Sequence, residues 1–221
     1  IGETGFHVEA ILCLLAALRQ FFQQVENIYV AADMLFYYEE GNPALFVVPD
    51  VFVVKGTAKH PRRTFKLWEE RLAPNVVFEI TSRSTRLDDL ATKRGLYEML
   101  GVREYFLFDP LDEYLSPRLQ GFRLGDRYYQ PLTLASDGSL RSEQLGLILR
   151  PEGALLRLVD PDTNETVPTL EEAMNLALIE AERARAESER ARAESERADQ
   201  AEAELARLRA ALEQSRRSAG K

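Results

Sequence analysis

The sequence predicts an α/β protein with both parallel and antiparallel strands, followed by a long charged helix. Between residues 75 and 109 an apolar run, a helical pattern and a second apolar run follow one another. That order is typical of two parallel strands joined by a crossover helix. From about Leu170 onward the composition changes to repeats of Glu, Arg and Ala. We therefore expect one α/β domain over residues 1–168 and a charged helical or coiled-coil tail over residues 169–221.

The elements before the crossover are predicted to be one helix and several strands. Residues 6–24 carry apolar side chains at three- and four-residue spacing, which indicates an amphipathic helix. Residues 27–34 and 35–38 predict two strands of a short meander. Residues 44–54 predict one long strand that bends at Pro49, because proline interrupts strand hydrogen bonding.

The crossover itself has clear boundary signals. Residues 76–81 predict a buried strand, and Thr85 with an aspartate three residues later resembles a capping box. A helix is therefore expected over residues 86–100, ended by Gly101. The remaining predicted β segments are residues 105–109, a hairpin within 121–129, and short strands at 145–149 and 155–159.

The tail contains an exact internal repeat. Residues 182–188 read Glu-Arg-Ala-Arg-Ala-Glu-Ser, and residues 189–195 repeat them. A seven-residue period indicates a coiled coil through which the chain forms a homo-oligomer. A solvated single helix held by Glu–Arg pairs is the alternative, since the seam is poor in large apolar residues. The residues at the repeating apolar position are Ala184, Ala191, Ala198, Leu205 and Leu212.

Charge and composition restrict the class of protein. The net charge of −8 argues mildly against nucleic-acid binding, but residues 55–103 contain eleven Lys or Arg and only six Asp or Glu. This region is either a surface for a phosphate backbone or an ordinary solvated face. The single cysteine, Cys13, fits a reducing compartment, and we expect a cytoplasmic protein. No apolar run reaches the roughly 18 residues of a membrane span.

Few known catalytic motifs are present in this sequence. The chain has no nucleophile-elbow, phosphate-loop or dinucleotide motif. Its two histidines, His7 and His60, are far apart, and no Cys/His cluster is present to hold zinc. The remaining chemistry is that of carboxylates and lysine.

Two carboxylates interrupt apolar strand-like runs. Glu79 lies within residues 75–81, and Asp50 within residues 46–54. A buried charge is costly unless a cation or hydrogen bonds offset it. If the two strands are neighbours, both carboxylates and the Ile80 carbonyl are placed to bind Mg²⁺ or Mn²⁺, and Lys93 on the next helix is placed to assist. The alternatives are a turn aspartate, an edge-strand glutamate and a surface lysine.

These residues stand in an ordered run of motifs that resembles the Uma family, a bacterial group of restriction-endonuclease-like proteins. The resemblance covers roughly residues 3–160, and the Glu-Arg-Ala tail is also similar to tails in that family. The motifs are Val48-Pro49-Asp50-Val51-Phe52-Val53-Val54, Pro74-Asn75-Val76-Val77-Phe78-Glu79-Ile80-Thr81-Ser82-Arg83-Ser84-Thr85, Asp88-Asp89-Leu90 with Lys93 and Tyr97, and Gly101-Val102-Arg103-Glu104-Tyr105-Phe106-Leu107-Phe108-Asp109-Pro110.

The resemblance implies a PD-(D/E)XK nuclease core, in which a central mixed sheet is flanked by helices, and a Mg²⁺-dependent site for phosphodiester cleavage. Asp50 then matches the first acid of the motif and Glu79 the second. The sequence departs from the motif two residues after Glu79, where Thr81 stands in place of the expected lysine, and Lys93 is the substitute. A first-helix acid often assists in such proteins, and Glu9 is the candidate here, with Glu3 or His7 as the other residues that approach the site.

Two functions from different classes follow. The first is a Mg²⁺- or Mn²⁺-dependent endonuclease that hydrolyses DNA with Asp50, Glu79 and Lys93. The second is a non-catalytic binding or assembly module that retains the nuclease fold and oligomerises through its tail. An enzyme acting on another phosphate ester is a third reading, which no sequence feature favours.

Overall fold

The computed structural model describes residues 4–219. The protein consists of two compact units, and the boundary between them falls between Leu170 and Glu171. Among the described residues, the first unit contains three sheets, three α-helices and one π-helix, and the second is a single helix.

A six-stranded mixed sheet forms the centre of the first unit. Its spatial order is β1-β4-β6-β7-β8-β9, and only the β6–β7 pair is parallel. The strands are β1 (Ile28–Ala32), β4 (Val51–Lys55), β6 (Val76–Ile80), β7 (Glu104–Phe108), β8 (Leu119–Leu124) and β9 (Tyr129–Pro131). The predicted mixed sheet and the predicted parallel pair are therefore confirmed.

The crossover between β6 and β7 is helical, as predicted, but its first half is wider than an α-helix. A π-helix spans Asp88–Lys93, and α3 continues it over Arg94–Met99. The predicted capping box is wrong, because the Thr85 hydroxyl turns back to accept the Ser82 amide at 3.1 Å. Gly101 ends the helix with a φ of 79°, as expected for a glycine C′ residue.

The predicted long strand over residues 44–54 is wrong. Its first part is β3 (Phe46–Val47), which pairs with β2 (Phe36–Tyr37) in a separate three-stranded sheet completed by β5 (Phe65–Lys66). Its second part is β4 of the central sheet. The break falls at Pro49, which has no amide hydrogen for a ladder, and it leaves Asp50 immediately before β4. The predicted meander of residues 27–38 is also split between these two sheets.

Helices and a third sheet cover the central sheet. Helix α1 (Gly5–Phe21) buries Ala10, Leu14 and Leu18 on one face of the central sheet. The opposite face carries a second core, in which Tyr97 of α3 contacts Tyr105. The remaining elements are α2 (Leu67–Glu70) and the third sheet of β10 (Leu140–Ser142), β11 (Leu147–Glu152) and β12 (Leu155–Val159).

The second unit is α4, one helix over Leu170–Ala219. The long helix was predicted, and the described side chains along it are almost all exposed. Leu205 of the seven-residue pattern is 55% exposed. The side chain of Leu212 and the whole of Glu3 lie outside the described part of the chain. Among the described side chains of α4, seven large apolar ones are exposed: Leu170, Met174, Leu176, Leu178, Ile179, Leu205 and Leu208.

Candidate metal and phosphodiester site

Asp50 and Glu79 come together at one end of the central sheet. Strands β4 and β6 are antiparallel neighbours, and Val51 lies opposite Phe78 in their register. Asp50 and Glu79 are the next residues along these two strands. Besides burial, the charge of Asp50 contributes to the raised pKa of Glu79, so the two carboxylates are close. Directly opposed residues of an antiparallel pair project to the same face, with Cβ atoms about 5 Å apart. The sequence-predicted pair of acids is thus side by side in the fold, and β6 is an inner strand instead of an edge strand.

Asp50 is held by the backbone of the neighbouring strand. Its Oδ2 atom accepts the Ile80 amide at 2.6 Å, and the His7 Nε2 atom lies 3.9 Å from the same oxygen. The N–H and C=O groups of one residue in an extended strand point to the same side. The Ile80 carbonyl therefore also faces the side of β6 on which Asp50 lies.

Glu79 is almost completely buried, with 1% of its surface exposed, and both its oxygens have partners. The Lys93 Nζ atom donates to Oε2 at 2.8 Å, and the Tyr97 hydroxyl donates to Oε1 at 2.7 Å. Both donors come from the crossover helix that follows β6. The return of Lys93 to Glu79 was predicted from the sequence, whereas the contact of Tyr97 was not.

Asp89 is a third carboxylate in the same cluster, and like Glu79 it is buried. It is 1% exposed, and its Oδ1 atom lies 3.1 Å from the Lys93 Nζ atom, one turn away in the π-helix. Sequence reasoning assigned Asp89 no role. An acid four residues before a lysine on a helix is a pairing signal, and it was available in the sequence.

The cluster contains three carboxyl groups and one ammonium, and the pKa values of the acids are shifted from their ordinary values. Burial, followed by the charges of neighbouring acids, raises the pKa values of Asp50, Glu79 and Asp89, that of Glu79 most strongly. For Lys93 burial opposes the charged form, but Glu79 and Asp89 outweigh it and its pKa is also raised. Lys93 therefore stays an ammonium at neutral pH, and it pairs with Glu79 and Asp89.

The acceptors of the cluster are oxygen atoms, the ligand type that a hard divalent cation prefers, and both oxygens of Glu79 already accept hydrogen bonds. Across residues 4–219 no group of three His, Cys, Asp or Glu side chains is arranged as a metal site. Mg²⁺, however, commonly uses one or two carboxylates and completes its shell with water and substrate oxygens. Asp50, Glu79 and the Ile80 carbonyl are the groups that would hold such an ion here. The buried hydroxyl of Thr81, on the same strand, has no hydrogen-bond partner within the described residues.

The first helix contributes a different residue from the one favoured by the sequence. The side chain of Glu9 is exposed to solvent, whereas His7 is buried and faces Asp50. The expectation that Glu9 assists at the site is therefore wrong, because His7 and not Glu9 is the residue of α1 that faces Asp50. His7 lies at the first turn of α1, where the Thr4 side chain caps the helix through the His7 amide.

Comparison with known proteins assigns the chain to a family. The model of the Uma2 family, described as "Putative restriction endonuclease", matches residues 1–152. The chain belongs to this family, and the family supports a nuclease as the class of protein. The Uma resemblance and the restriction-endonuclease-like fold expected from the sequence are thereby confirmed.

A solved structure is also similar to this chain. It is described as a "putative nuclease belonging to DUF820" from Anabaena variabilis ATCC 29413, with a TM-score of 0.49 and 14% sequence identity. The match covers 66% of this chain and 76% of the other. No curated protein matches the chain.

Within the described residues, no helix combines the length and the apolar character that a membrane crossing requires.

Proposed function

We propose that this protein is a Mg²⁺- or Mn²⁺-dependent endonuclease that hydrolyses phosphodiester bonds in DNA. The observation that carries the proposal is the placement of Asp50 beside Glu79 at the end of β4 and β6, with Lys93 bound to Glu79. A cluster with two buried carboxyl groups, a third that is 22% exposed and one ammonium is short of positive charge. A divalent cation would offset that shortage.

Asp50, Glu79 and the Ile80 carbonyl would hold the cation. When bound, such an ion lowers the pKa of a coordinated water and offsets the charge that develops on a phosphate. Asp50 is already oriented for this by the Ile80 amide, which fixes one of its oxygens. The Lys93 ammonium, 16% exposed, reaches the rim of the cluster and is placed to donate to a phosphate oxygen.

Exposed cations beside the cluster support a nucleic-acid substrate. Arg83 and Arg86 follow Glu79 on the segment that leads into the π-helix, and both are exposed. Salt-dependent contact of such side chains with phosphates is the general basis of DNA binding. Not all of the basic region 55–103 is available for this, since Arg62 is bound by Glu70 at 2.6 Å.

The proposal is tested by incubating purified protein with supercoiled plasmid and Mg²⁺, Mn²⁺ or EDTA. We expect nicked and linear products with either metal and none with EDTA. Asp50→Asn should lower the rate by at least about a hundredfold, in the range typical for the loss of a group that acts in the transition state. Glu9→Gln, which changes an exposed carboxylate on α1, is the matched control and should cut like the wild type. Equal cutting by both variants would contradict the proposed site.

The exposed apolar side chains of α4 favour a second proposal, that the chain is a non-catalytic module assembled through its tail. That module would bind no divalent cation at Asp50 and Glu79, and Asp50→Asn would leave its binding functions unchanged. Asp50→Asn therefore distinguishes the two proposals, because only the endonuclease loses its activity in this variant.

A further inference from the structure

The Lys93 ammonium lies between two buried carboxylates. It is 2.8 Å from Oε2 of Glu79 and 3.1 Å from Oδ1 of Asp89, and each acid is 1% exposed. The two acids come from different elements, because Glu79 belongs to β6 and Asp89 to the π-helix. The lysine thus has one partner on the sheet and a second on its own helix.

Each oxygen of Glu79 already accepts one hydrogen bond, so a cation at either oxygen would bind directly beside a donor. Lys93 occupies Oε2, and the Tyr97 hydroxyl occupies Oε1. An ammonium and a divalent ion repel each other strongly at contact distance in a buried site. If Glu79 binds a metal ion, Lys93 must therefore lose or lengthen its contact with Oε2.

Asp89 is placed to bind the Lys93 ammonium when the contact of Lys93 with Glu79 is lost. Its Oδ1 atom already pairs with the ammonium at 3.1 Å, and within the described residues neither carboxylate oxygen has a well-aligned hydrogen bond, so both can accept one. The Thr85 hydroxyl lies near Asp89 and limits the rise in the pKa of its carboxyl group. This hydroxyl also bonds to the amide and the hydroxyl of Ser82. The Tyr105 hydroxyl donates to the Asp89 carbonyl at 2.9 Å and fixes the backbone beneath the carboxylate.

We propose that Asp89 is the alternative partner of Lys93, which takes over the ammonium when Glu79 turns its carboxylate to a divalent cation. This inference rests on the proposed function. Asp89 is then a positioning residue and not a metal ligand, since it acts through Lys93. Its consequence is that the site admits a cation without expelling the lysine, which stays beside the position of the phosphate.

The first test is calorimetric titration of Mn²⁺ into the full chain without DNA. Asp89→Asn should weaken Mn²⁺ binding by about tenfold to a hundredfold, the range seen when a residue that orients a ligand shell is lost. Asp89→Glu keeps the charge and should restore affinity to within a few-fold. Asp88→Asn, which changes the exposed neighbouring aspartate, is the matched control and should bind like the wild type.

The second test separates an action through Lys93 from direct coordination. Lys93→Met removes the competing ammonium and should tighten Mn²⁺ binding. Adding Asp89→Asn to that variant should then change the affinity by less than about threefold, because coupled residues show non-additive effects. The double variant loses one charge of each sign, so this comparison remains usable if Asp89→Asn alone fails to fold.

Three outcomes of these Mn²⁺ titrations distinguish the proposed function, the role of Asp89 and its action through Lys93. If the wild type binds no Mn²⁺, the proposed function fails and this inference fails with it. If the wild type binds Mn²⁺ and Asp89→Asn binds equally well, only the role of Asp89 is refuted. If Asp89→Asn weakens binding to the same extent in the wild type and in Lys93→Met, Asp89 acts as a ligand and the exchange of partners is refuted.

Discussion

The ammonium of Lys93 lies 2.8 Å from Oε2 of Glu79, although the two residues belong to different elements and are fourteen positions apart in the sequence. The position two residues after Glu79, where the nuclease motif would carry its lysine, is occupied by Thr81. The crossover helix thus supplies the cation that the strand lacks. The same helix supplies the Tyr97 hydroxyl, so strand β6 and the helix form one polar cluster inside an apolar core.

The hydroxyl of Tyr97 should stabilise the fold through Glu79. Tyr97→Phe removes the donor to Oε1 and keeps the ring that packs on Tyr105. We expect the free energy of unfolding to fall by about 2 kcal/mol, the size of a hydrogen bond to a charged group. Urea denaturation measures this. Tyr128→Phe, at a side chain that is 65% exposed, should change it by less than about 0.5 kcal/mol, and an equal loss in both variants would contradict the assignment.

The raised pKa values of Asp50, Glu79 and Asp89 predict a pH dependence of stability in EDTA. An acid whose pKa is raised by folding binds more protons in the folded state than in the unfolded state. Its stabilisation is present at low pH and is lost as pH rises above the ordinary value toward the raised one. The melting temperature of the metal-free protein should therefore fall between pH 5 and pH 8.

The control for this pH dependence is Glu70, a carboxyl group whose pKa is lowered in the folded protein. The Arg62 guanidinium lowers the pKa of Glu70, so Glu70 is ionised in both states above pH 5. Glu70→Gln should shift the melting temperature by the same amount at pH 5 and pH 8. Glu79→Gln should raise the melting temperature relative to the wild type more at pH 8 than at pH 5. A Glu79→Gln difference that is constant with pH contradicts the raised pKa.

Glu104 is a second buried glutamate with a structural role. It is fully buried and accepts hydrogen bonds from Arg123, the Ser142 hydroxyl and the amides of Glu143 and Gln144. Glu104→Ala leaves these donors without their acceptor, and we expect a loss of about 3–5 kcal/mol in urea denaturation. Mn²⁺ affinity of the folded variant should be unchanged. Weakened Mn²⁺ binding would mean that Glu104 and not Glu79 alone controls the site.

The tail is predicted to associate with itself through its apolar positions. Deletion of residues 171–221 should abolish self-association in sedimentation velocity and leave Mn²⁺ affinity intact, because Asp50 and Glu79 lie in the other unit. Leu205→Asp, which places a charge at a 55% exposed leucine of the seven-residue pattern, should weaken association without shortening the chain. A full-length protein that stays monomeric at high concentration contradicts this prediction.

The sequence predicted the crossover and the paired acids because both leave local signals. Residues 76–80 are an apolar run interrupted by one glutamate, and Gly101 marks the helix end. The split of residues 44–54 was missed because the choice between a bent strand and two strands depends on which sheet each half joins.

The partners of Glu79 were harder to derive from sequence. Tyr97 resembles any aromatic residue on the buried face of a helix, and its hydrogen bond to Oε1 depends on the packing of that helix on β6. The π-helix turn that carries Asp89 and Lys93 has no periodicity signal of its own. His7 and Glu9 lie two positions apart on α1, and only the docking angle of the helix decides which of them faces Asp50.

The central claim is that Asp50 and Glu79 jointly bind one divalent cation. Calorimetric titration of Mn²⁺ into the wild type, Asp50→Asn, Glu79→Gln and the surface control Glu9→Gln tests it most directly. We expect one Mn²⁺ site per chain in the wild type and in Glu9→Gln, and at least about a tenfold loss of affinity in each of the other two variants. Binding that is equal in all four proteins, or absent from the wild type, would contradict it.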